Sequence, residues 1–466
     1  MAVCWFCTCP TLSLPPKNLT PISGVLSLFQ QMLPASFMEQ AQAQTGSRHN
    51  NCVYTPMVIM WLLIVQRLQG GSALECAVLE LLSGLPASFW PRPCKRIRDW
   101  RELGKPLLSA NTGAYSQARQ ALPFSMVEQS CDRIFSELIV HLIGSNSSPS
   151  PATFLLDGTS MRLAHSSSLM ERFALGSNQH GAAHWPVVRV LVAHELHTGL
   201  AMRPEWGPMN GPDAVSEQKL LETCLERLPV GSTIMGDANF GVFSVAWAGS
   251  QSGHPVLLRM TSLRARSMAG EELSDGMDRP ILWKPSRGDR RRHPGLPADA
   301  CVQGRLIVRL VKPDPNSAPF LLSLFTTLSS SLQELLDLYG QRWIVETDLR
   351  TLKQELKLDQ LTCLTPDMVG KEIVSCISAY NLVRAVTCLA AKQSGLPPRS
   401  YSFTRVRRII QAFAPKVAHA NDPQQTQKEF DVMMHYVQQA KLPRRRRPSY
   451  PRGVWPKGAA FPSRRS

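Results

Sequence analysis

The sequence predicts a mixed α/β protein in which a mainly helical region precedes a core that contains β-strands. Apolar residues recur at helical spacing from about 41 to 143, and apolar runs of strand length follow from about 153. An amphipathic helix at 213–229 separates two of these runs. Alternation of strands and helices is typical of a layered α/β domain.

Changes in composition divide the chain into regions. The stretch "SNSSPSPA" is dense in Ser, Asn and Pro, which is typical of a linker. Arg, Gly and Pro in "PSRGDRRRHPG" interrupt the strand pattern further on and indicate an insertion. We expect a helical N-terminal region (1–144), a linker (145–152) and the first half of the core (153–261). A β-rich insertion (262–318), the second half of the core (319–395) and a basic C-terminal region (396–466) are expected to follow.

The charge of the chain favours a polyanionic partner. The 51 Lys and Arg residues exceed the 35 Asp and Glu residues, which gives a net charge of +16. Residues 396–466 contain 15 basic residues against 3 acidic ones, including "PRRRRP" at 443–448. Nucleic acid is the first candidate partner and an anionic membrane the second. Alone, such a run is more typical of a solvated or loosely DNA-attracted tail than of a specific reader.

Several classes of protein are not supported by the motifs. The sequence has no GxxxxGK[ST] loop and no GxSxG elbow, so neither a nucleotide cofactor nor a serine nucleophile is expected. Cys4 and Cys7 form a CxxC without a second ligand pair, so zinc is not expected. The apolar run at 57–65 is too short to span a bilayer and predicts a buried helix. We expect a cytoplasmic protein with no membrane partner.

The stretch "YGQRWIVETDLRTLK" at 339–353 combines four chemically different polar side chains. On a single helix with 100° per residue, Tyr339, Arg342, Glu346 and Lys353 would share a stripe about 60° wide. Such a stripe is also typical of a solvated face with i,i+4 ion pairs, and Arg342 with Glu346 fits that alternative. The helix alone therefore favours a solvated face over a functional one.

Two further carboxylates follow apolar strands. The strand predicted from "TFLLDG" ends at Asp157, and the strand before "GDANFG" ends at Asp237. Each Asp could simply cap a turn. Together with Glu346 they could hold two divalent cations, because hard cations such as Mg²⁺ prefer oxygen ligands. Two such ions can promote an in-line phosphoryl displacement. Arg342 could then grip a phosphate bidentately, Tyr339 could donate to a phosphate oxygen, and Lys353 could reach the next phosphate.

These motifs resemble those of the DDE transposases of the insertion-sequence-four type. The spacing Y-x₂-R-x₃-E-x₆-K is complete here, and "LLDGTSMRL" and "GDANFG" resemble the first and second Asp motifs of that family. The resemblance extends from about 150 to 390 and, less specifically, to "GAYSQARQALP" at 113–123. It implies an RNase H-like mixed-sheet core with the β-rich insertion between the second Asp and the Glu. It also implies two Mg²⁺ ions, with Mn²⁺ able to substitute, at Asp157, Asp237 and Glu346.

The resemblance further implies a reaction and its partners. The partners would be double-stranded DNA, as the inverted repeats of the element and as target, and a second copy of the chain in the synaptic complex. The helical N-terminal region would bind the DNA end. The reaction would be DNA cutting at the repeats and strand transfer through a hairpin intermediate, in a nucleoid-associated protein. An aromatic from the insertion stacks on a flipped base in such enzymes. Trp283 could do so or could be a core residue, whereas Trp343 is expected to pack on the core.

Two alternatives share the same core. The first is a catalytically inactive DNA-binding protein derived from a transposase. The second is a structure-specific nuclease that lacks strand transfer.

Overall fold

A computed structural model describes most of the chain. The described residues are 24–46, 53–71, 73–104, 108–142, 152–179, 181–312, 318–418 and 422–443. Cys4 and Cys7 lie outside them, as do all but one residue of the predicted linker and all but one residue of the "PRRRRP" block.

The described strands form one large mixed sheet and a small separate hairpin. Within the described residues the large sheet has eight strands in the order β5-β4-β1-β6-β7-β10-β9-β8, and the hairpin pairs β2 with β3. The strands are β1 Thr153–Arg162, β2 Ser177–Asn178, β3 Gly181–Ala182, β4 Val187–Glu195, β5 Glu205–Pro208, β6 Thr233–Gly236, β7 Val256–Met260, β8 Asp278–Trp283, β9 Val302–Val311 and β10 Phe320–Thr326.

The centre of the sheet is parallel and its flanks are antiparallel. Strand β1 pairs in parallel with β6, which pairs in parallel with β7, and the other pairings are antiparallel. The pairing of β1 with β6 runs only from Thr153 to Leu155, whereas its pairing with β4 continues to Arg162. Beyond Leu155, the β6-facing edge of β1 therefore has no strand partner.

Helices surround this sheet. The described α-helices are α1 Val25–Met32, α2 Ala35–Thr45, α3 Pro56–Leu68, α4 Leu74–Ser83, α5 Lys95–Leu103, α6 Gly113–Ala121, α7 Phe124–Leu142, α8 Ser167–Arg172, α9 Glu217–Leu225, α10 Phe243–Gln251, α11 Ser262–Ala269, α12 Arg287–Arg292, α13 Leu332–Gly340, α14 Ile344–Glu355, α15 Pro366–Ser394, α16 Phe403–Ala418 and α17 Pro423–Gln439. Short 3₁₀ turns lie at Ala87–Phe89, Gln341–Trp343 and Pro398–Ser400.

The two faces of β1 contribute to different apolar cores. Phe154 and Leu156 belong to the large core, whereas Leu155 packs in a smaller core with Met235 of β6 and Tyr339 of α13. Successive strand residues point to opposite faces of a sheet. Asp157, two residues after Leu155, therefore lies on the face that α13 and α14 cover.

Helix α15 is the centre of the helical layer. It is long and apolar enough to cross a membrane by length and composition, but 94% of its apolar window is buried inside the protein. Helices α3 and α7 pack against it. Arg67 of α3 donates to Glu372 of α15, and both side chains are 3% exposed. The N-terminal helices and α15 therefore form one packed body.

The mixed α/β class is confirmed, with three changes of detail. The run at 57–65 lies in α3, which is buried as predicted. Strands β8 and β9, from the region predicted as an insertion, continue the main sheet. Asp157 does not end its strand, because pairing with β4 extends β1 to Arg162. The described part of the basic C-terminal region folds into α16 and α17.

The segment 339–353 is not one α-helix as predicted. Helix α13 ends at Gly340, a 3₁₀ turn occupies Gln341–Trp343, and α14 begins at Ile344. The projection with 100° per residue is therefore wrong across this turn, because a 3₁₀ helix has about three residues per turn. Tyr339 and Arg342 are only 7% and 8% exposed, so they do not belong to a solvated face.

Candidate active site

Asp157 and Asp237 occupy equivalent positions on neighbouring parallel strands. The last residues paired between β1 and β6 are Leu155 and Met235, and each Asp stands two residues beyond its member of that pair. Neighbouring strands lie about 4.8 Å apart, so this register brings the two Asp residues side by side. Asp157 accepts a hydrogen bond from the Gly158 N–H and Asp237 from the Asn239 N–H, both at 2.9 Å.

The two carboxylates repel each other. Burial and the neighbouring Asp237 raise the pKa of Asp157 to about 6, with a smaller contribution from Glu217. Burial and a neighbouring negative charge both disfavour the ionised form of a carboxyl group. A divalent cation between these oxygens would supply that charge, so the donor set fits a hard cation.

Glu346 reaches this region from α14, which packs against β1. Arg342 donates to Glu346 over 3.0 Å, and Arg342 also lowers the pKa of Asp157. The guanidinium therefore acts on two of the three predicted carboxylates. No group of three or more His, Cys, Asp or Glu side chains within the described residues is arranged to hold a metal ion. The three carboxylates therefore do not form a ready-made ion site in the described part of the chain, where Glu346 is instead hydrogen-bonded to Arg342.

Tyr339 and Lys353, the other two residues of the Y-x₂-R-x₃-E-x₆-K signature, differ in burial. Burial raises the pKa of Tyr339 to about 12, although Arg342 and Arg259 act in the opposite direction, so its hydroxyl remains a proton donor at neutral pH. That buried hydroxyl has no aligned hydrogen bond to a described residue. Lys353 is half-buried in the last turn of α14. Of the salt bridges between described residues, none includes Lys353.

The two tryptophans differ in burial, and only one of the two alternatives left open for Trp283 fits its packing. Trp283 is 7% exposed and packs edge-on against Phe243 and Phe325, with ring centroids 5.8 and 4.8 Å away. It is therefore a core residue, and the base-stacking prediction is not supported. Trp343 is 56% exposed, so its predicted packing on the core is wrong. The Arg342 guanidinium lies over the Trp343 ring, 5.4 Å from its centroid.

Sequence reasoning missed Glu217, at the start of α9. Its Oε2 accepts a 2.5 Å hydrogen bond from the Asn239 side chain, and a Cβ at Gly158 would overlap its carboxyl group. Burial and Asp237 raise the pKa of Glu217. The only sequence signal was the position of Glu217 after the capping Ser216, and that pattern is common at helix starts.

Sequence reasoning also missed a buried network behind Glu346. Asp348 is fully buried and accepts from Arg384 at 2.7 Å, and its two carboxylate oxygens both accept from Nη1 of Arg399, at 2.7 and 2.6 Å. Burial alone would raise the pKa of Asp348, but Arg384 and Arg399 hold it below its usual range. Arg384 belongs to α15, so this network fixes α14 to the helical body.

Comparison with known sequences shows the class of protein to which this chain belongs. The sequence profile of the family described as "Transposase DDE domain" matches residues 148–382, which is 235 of the 466 residues and includes all three predicted carboxylates. The chain therefore belongs to this family. It is also similar to the protein described as "Transposase InsG for insertion sequence element IS4" of Escherichia coli (strain K12). The two are 24% identical over 364 residues, which cover 75% of this chain and 78% of the relative.

Proposed function

We propose that this protein is a transposase that cuts DNA at the inverted repeats of an insertion element and joins the cut ends to a target. Family membership supports this class of reaction. The observation that carries the proposal is the position of Asp157 and Asp237, each two residues beyond the last pair of β1 and β6, on the face of β1 covered by α13 and α14.

Asp157, Asp237 and Glu346 are the proposed catalytic carboxylates. They would hold two Mg²⁺ ions, for which Mn²⁺ can substitute, and these ions would activate the attacking oxygen and stabilise the leaving oxygen. The crowding that raises the pKa of Asp157 supports cation binding by this chain. Because Arg342 hydrogen-bonds Glu346, the guanidinium sets the orientation of that carboxylate before DNA arrives.

The remaining signature residues are proposed to hold the DNA backbone. Arg342 has N–H groups beyond the one that reaches Glu346 and can share them with a phosphate. The Tyr339 hydroxyl can donate to a phosphate oxygen, since it remains protonated. Lys353 carries a charge for a further phosphate along the strand. Trp343, exposed beside Arg342, replaces Trp283 as the proposed base-stacking aromatic.

Strand transfer of this kind needs no nucleotide fuel. A free 3′-hydroxyl attacks a phosphodiester of the opposite strand, one phosphodiester bond forms as another breaks, and a hairpin end results. Water then reopens the hairpin, and the regenerated 3′-hydroxyl attacks the target. We propose that the N-terminal helices bind the end sequence and that two subunits join the two ends.

A cleavage assay with a designed substrate tests the proposal. Linear DNA that carries the inverted repeat from beside the gene is incubated with the full chain, in Mg²⁺ or in EDTA, and resolved on a denaturing gel. We expect cutting at the repeat boundary that depends on Mg²⁺ and is lost in Asp237→Asn. Asp213→Asn, an exposed carboxylate on the loop before α9, is the matched control and should cut normally. Binding without cutting under any metal would instead support the inactive DNA-binding alternative.

A further inference from the structure

Glu217 approaches the acidic site from outside the signature motifs. It is the first residue of α9, and the Ser216 hydroxyl caps that helix by accepting from the Lys219 N–H at 3.1 Å. The Glu217 side chain is half-buried, and it contributes to the raised pKa of Asp157. Its charge therefore acts on Asp157, and the charge of Asp237 acts on Glu217 in turn.

Because Gly158 has no side chain, there is room beside its backbone for the Glu217 carboxylate. A Cβ at this position would overlap the Glu217 carboxyl group, so any other residue would displace that side chain. Gly158 does not have a positive φ, so its backbone conformation does not itself require glycine. Strand alternation points position 158 away from the face of Asp157, and Glu217 thus reaches the pair from the other side of β1.

Asn239 connects Glu217 to the second aspartate. Its backbone N–H donates to Asp237 at 2.9 Å, and its side-chain amide donates to Glu217 at 2.5 Å. Gln218, next to Glu217, donates to the Asn239 carbonyl oxygen at 2.7 Å and to its side-chain oxygen at 3.0 Å. The first turn of α9 therefore holds the loop that carries Asp237.

We propose that Glu217 is a further positioning residue of the candidate active site, where its charge, held beside Asp157 by Asn239 and by the space at Gly158, strengthens divalent-cation binding. This inference rests on the proposed function, because it assumes that Asp157 and Asp237 bind the cation. Groups that surround metal ligands without being ligands commonly change metal affinity by about 10- to 100-fold when they are mutated. Glu217 acts in this way through its charge and through the Asn239 loop.

The test measures cation binding rather than catalysis. The full chain, without DNA, is titrated with Mn²⁺, and free Mn²⁺ is followed by electron paramagnetic resonance. Glu217→Gln keeps the size of the side chain and an oxygen that can accept from Asn239, but it removes the charge. We expect Glu217→Gln to weaken Mn²⁺ binding by about tenfold. Glu222→Gln, on the same helix and paired with Lys219, is the matched control and should bind as wild type does.

Gly158→Ala tests the same interaction by a second substitution, on strand β1. Its methyl group displaces the Glu217 carboxylate, so we expect a loss of Mn²⁺ affinity similar to that of Glu217→Gln. The double variant Gly158→Ala/Glu217→Gln should bind no more weakly than the single variants, because both changes remove the same interaction. Additive losses in the double variant would contradict the proposed link.

Thermal unfolding in EDTA separates this role from a purely structural one. Removing one charge from a crowded acidic site should leave the Tm of Glu217→Gln unchanged or higher, whereas loss of a structural contact would lower it.

An unchanged Mn²⁺ Kd in Glu217→Gln overturns the inference. If the Kd of Glu217→Gln is unchanged but Asp157→Asn no longer binds Mn²⁺, the inference fails and the proposed function stands. If Asp157→Asn binds Mn²⁺ as the wild type does, the proposed cation site and this inference fail together.

Discussion

Arg342 donates a 3.0 Å hydrogen bond to Glu346, and its own side chain is only 10% exposed. The same guanidinium lowers the pKa of Asp157. Without a cation, Arg342 therefore offsets part of the charge of two carboxylates that belong to different elements of the fold. Under the proposed function, a cation that enters the site would share Glu346 with this guanidinium.

The first prediction concerns Glu346. Glu346→Gln keeps an oxygen for Arg342 but loses the charge that a cation needs, so we expect cleavage to fall by about a hundred- to a thousandfold. DNA binding should remain nearly intact. Denaturing gels measure cutting and electrophoretic mobility shifts measure binding. The control is Asp337→Asn, an exposed carboxylate of α13. Full cleavage by Glu346→Gln would remove this residue from the metal assignment.

The second prediction concerns stability and pH without metal. The pKa of Asp157 is about 6 in the folded state, above its unfolded value of about 4. Between these values the folded state binds more protons, so its free energy of unfolding rises as the pH falls from 7 to 5. Asp157→Asn should remove this dependence and add up to about 3 kcal/mol at pH 7. Urea unfolding in EDTA at both pH values measures it, and a wild type that loses stability as the pH falls from 7 to 5, relative to Asp157→Asn, would refute it.

The third prediction concerns Lys353. If this ammonium contacts a phosphate, Lys353→Ala should weaken DNA binding similarly for all sequences and reduce the slope of log Kd against log salt by about one. Fluorescence anisotropy at several salt concentrations measures that slope. Lys392→Ala, at the exposed end of α15, is the control and should leave the slope unchanged. Equal slopes for the wild type and Lys353→Ala would exclude the contact.

The fourth prediction separates the two tryptophans. Trp283→Ala removes a buried ring from contact with Phe243 and Phe325 and should cost about 3–5 kcal/mol of stability. Trp343→Ala should leave the stability nearly unchanged and weaken binding to DNA with an unpaired end base by about 1–3 kcal/mol. Urea unfolding and titration with that DNA measure the two effects. Tyr436→Ala, an exposed aromatic of α17, is the control for binding. Normal DNA binding by Trp343→Ala would exclude the stacking role.

The fold class was predictable because several elements have strong local patterns. Strand β6 ends just before Asp237, and helix α9 lies within the amphipathic stretch 213–229, as their apolar patterns predict. The full length of β1 was not predictable, because its second half contains Gly158, Thr159 and Ser160, which have no strand pattern of their own. That half is held by its pairing with β4, a contact between segments distant in sequence.

The candidate site was predictable as far as its motifs extend. Asp237 follows β6 as expected, but the exposure of Trp343 depends on the 3₁₀ turn that breaks the helical projection. Glu217 has the same local pattern as any acidic residue in a first helical turn. Its proximity to Asp157 depends on the packing of α9 against the sheet, which no local pattern encodes. The role of Asp348 likewise depends on its contacts with Arg384 and Arg399, which come from later segments of the chain.

Helix α15 follows all three predicted carboxylates in the chain, yet it packs against α3 and α7, which precede them. All of α3, from Pro56 to Leu68, is buried in the complete protein. A chain that stops before Pro366 would expose that apolar helix and would leave Arg67 without Glu372. A premature stop codon would therefore yield an aggregating fragment rather than a short competitor that occupies the DNA ends without cutting them. If the N-terminal helices bind the DNA ends as proposed, loss of α15 would remove end binding and cutting together.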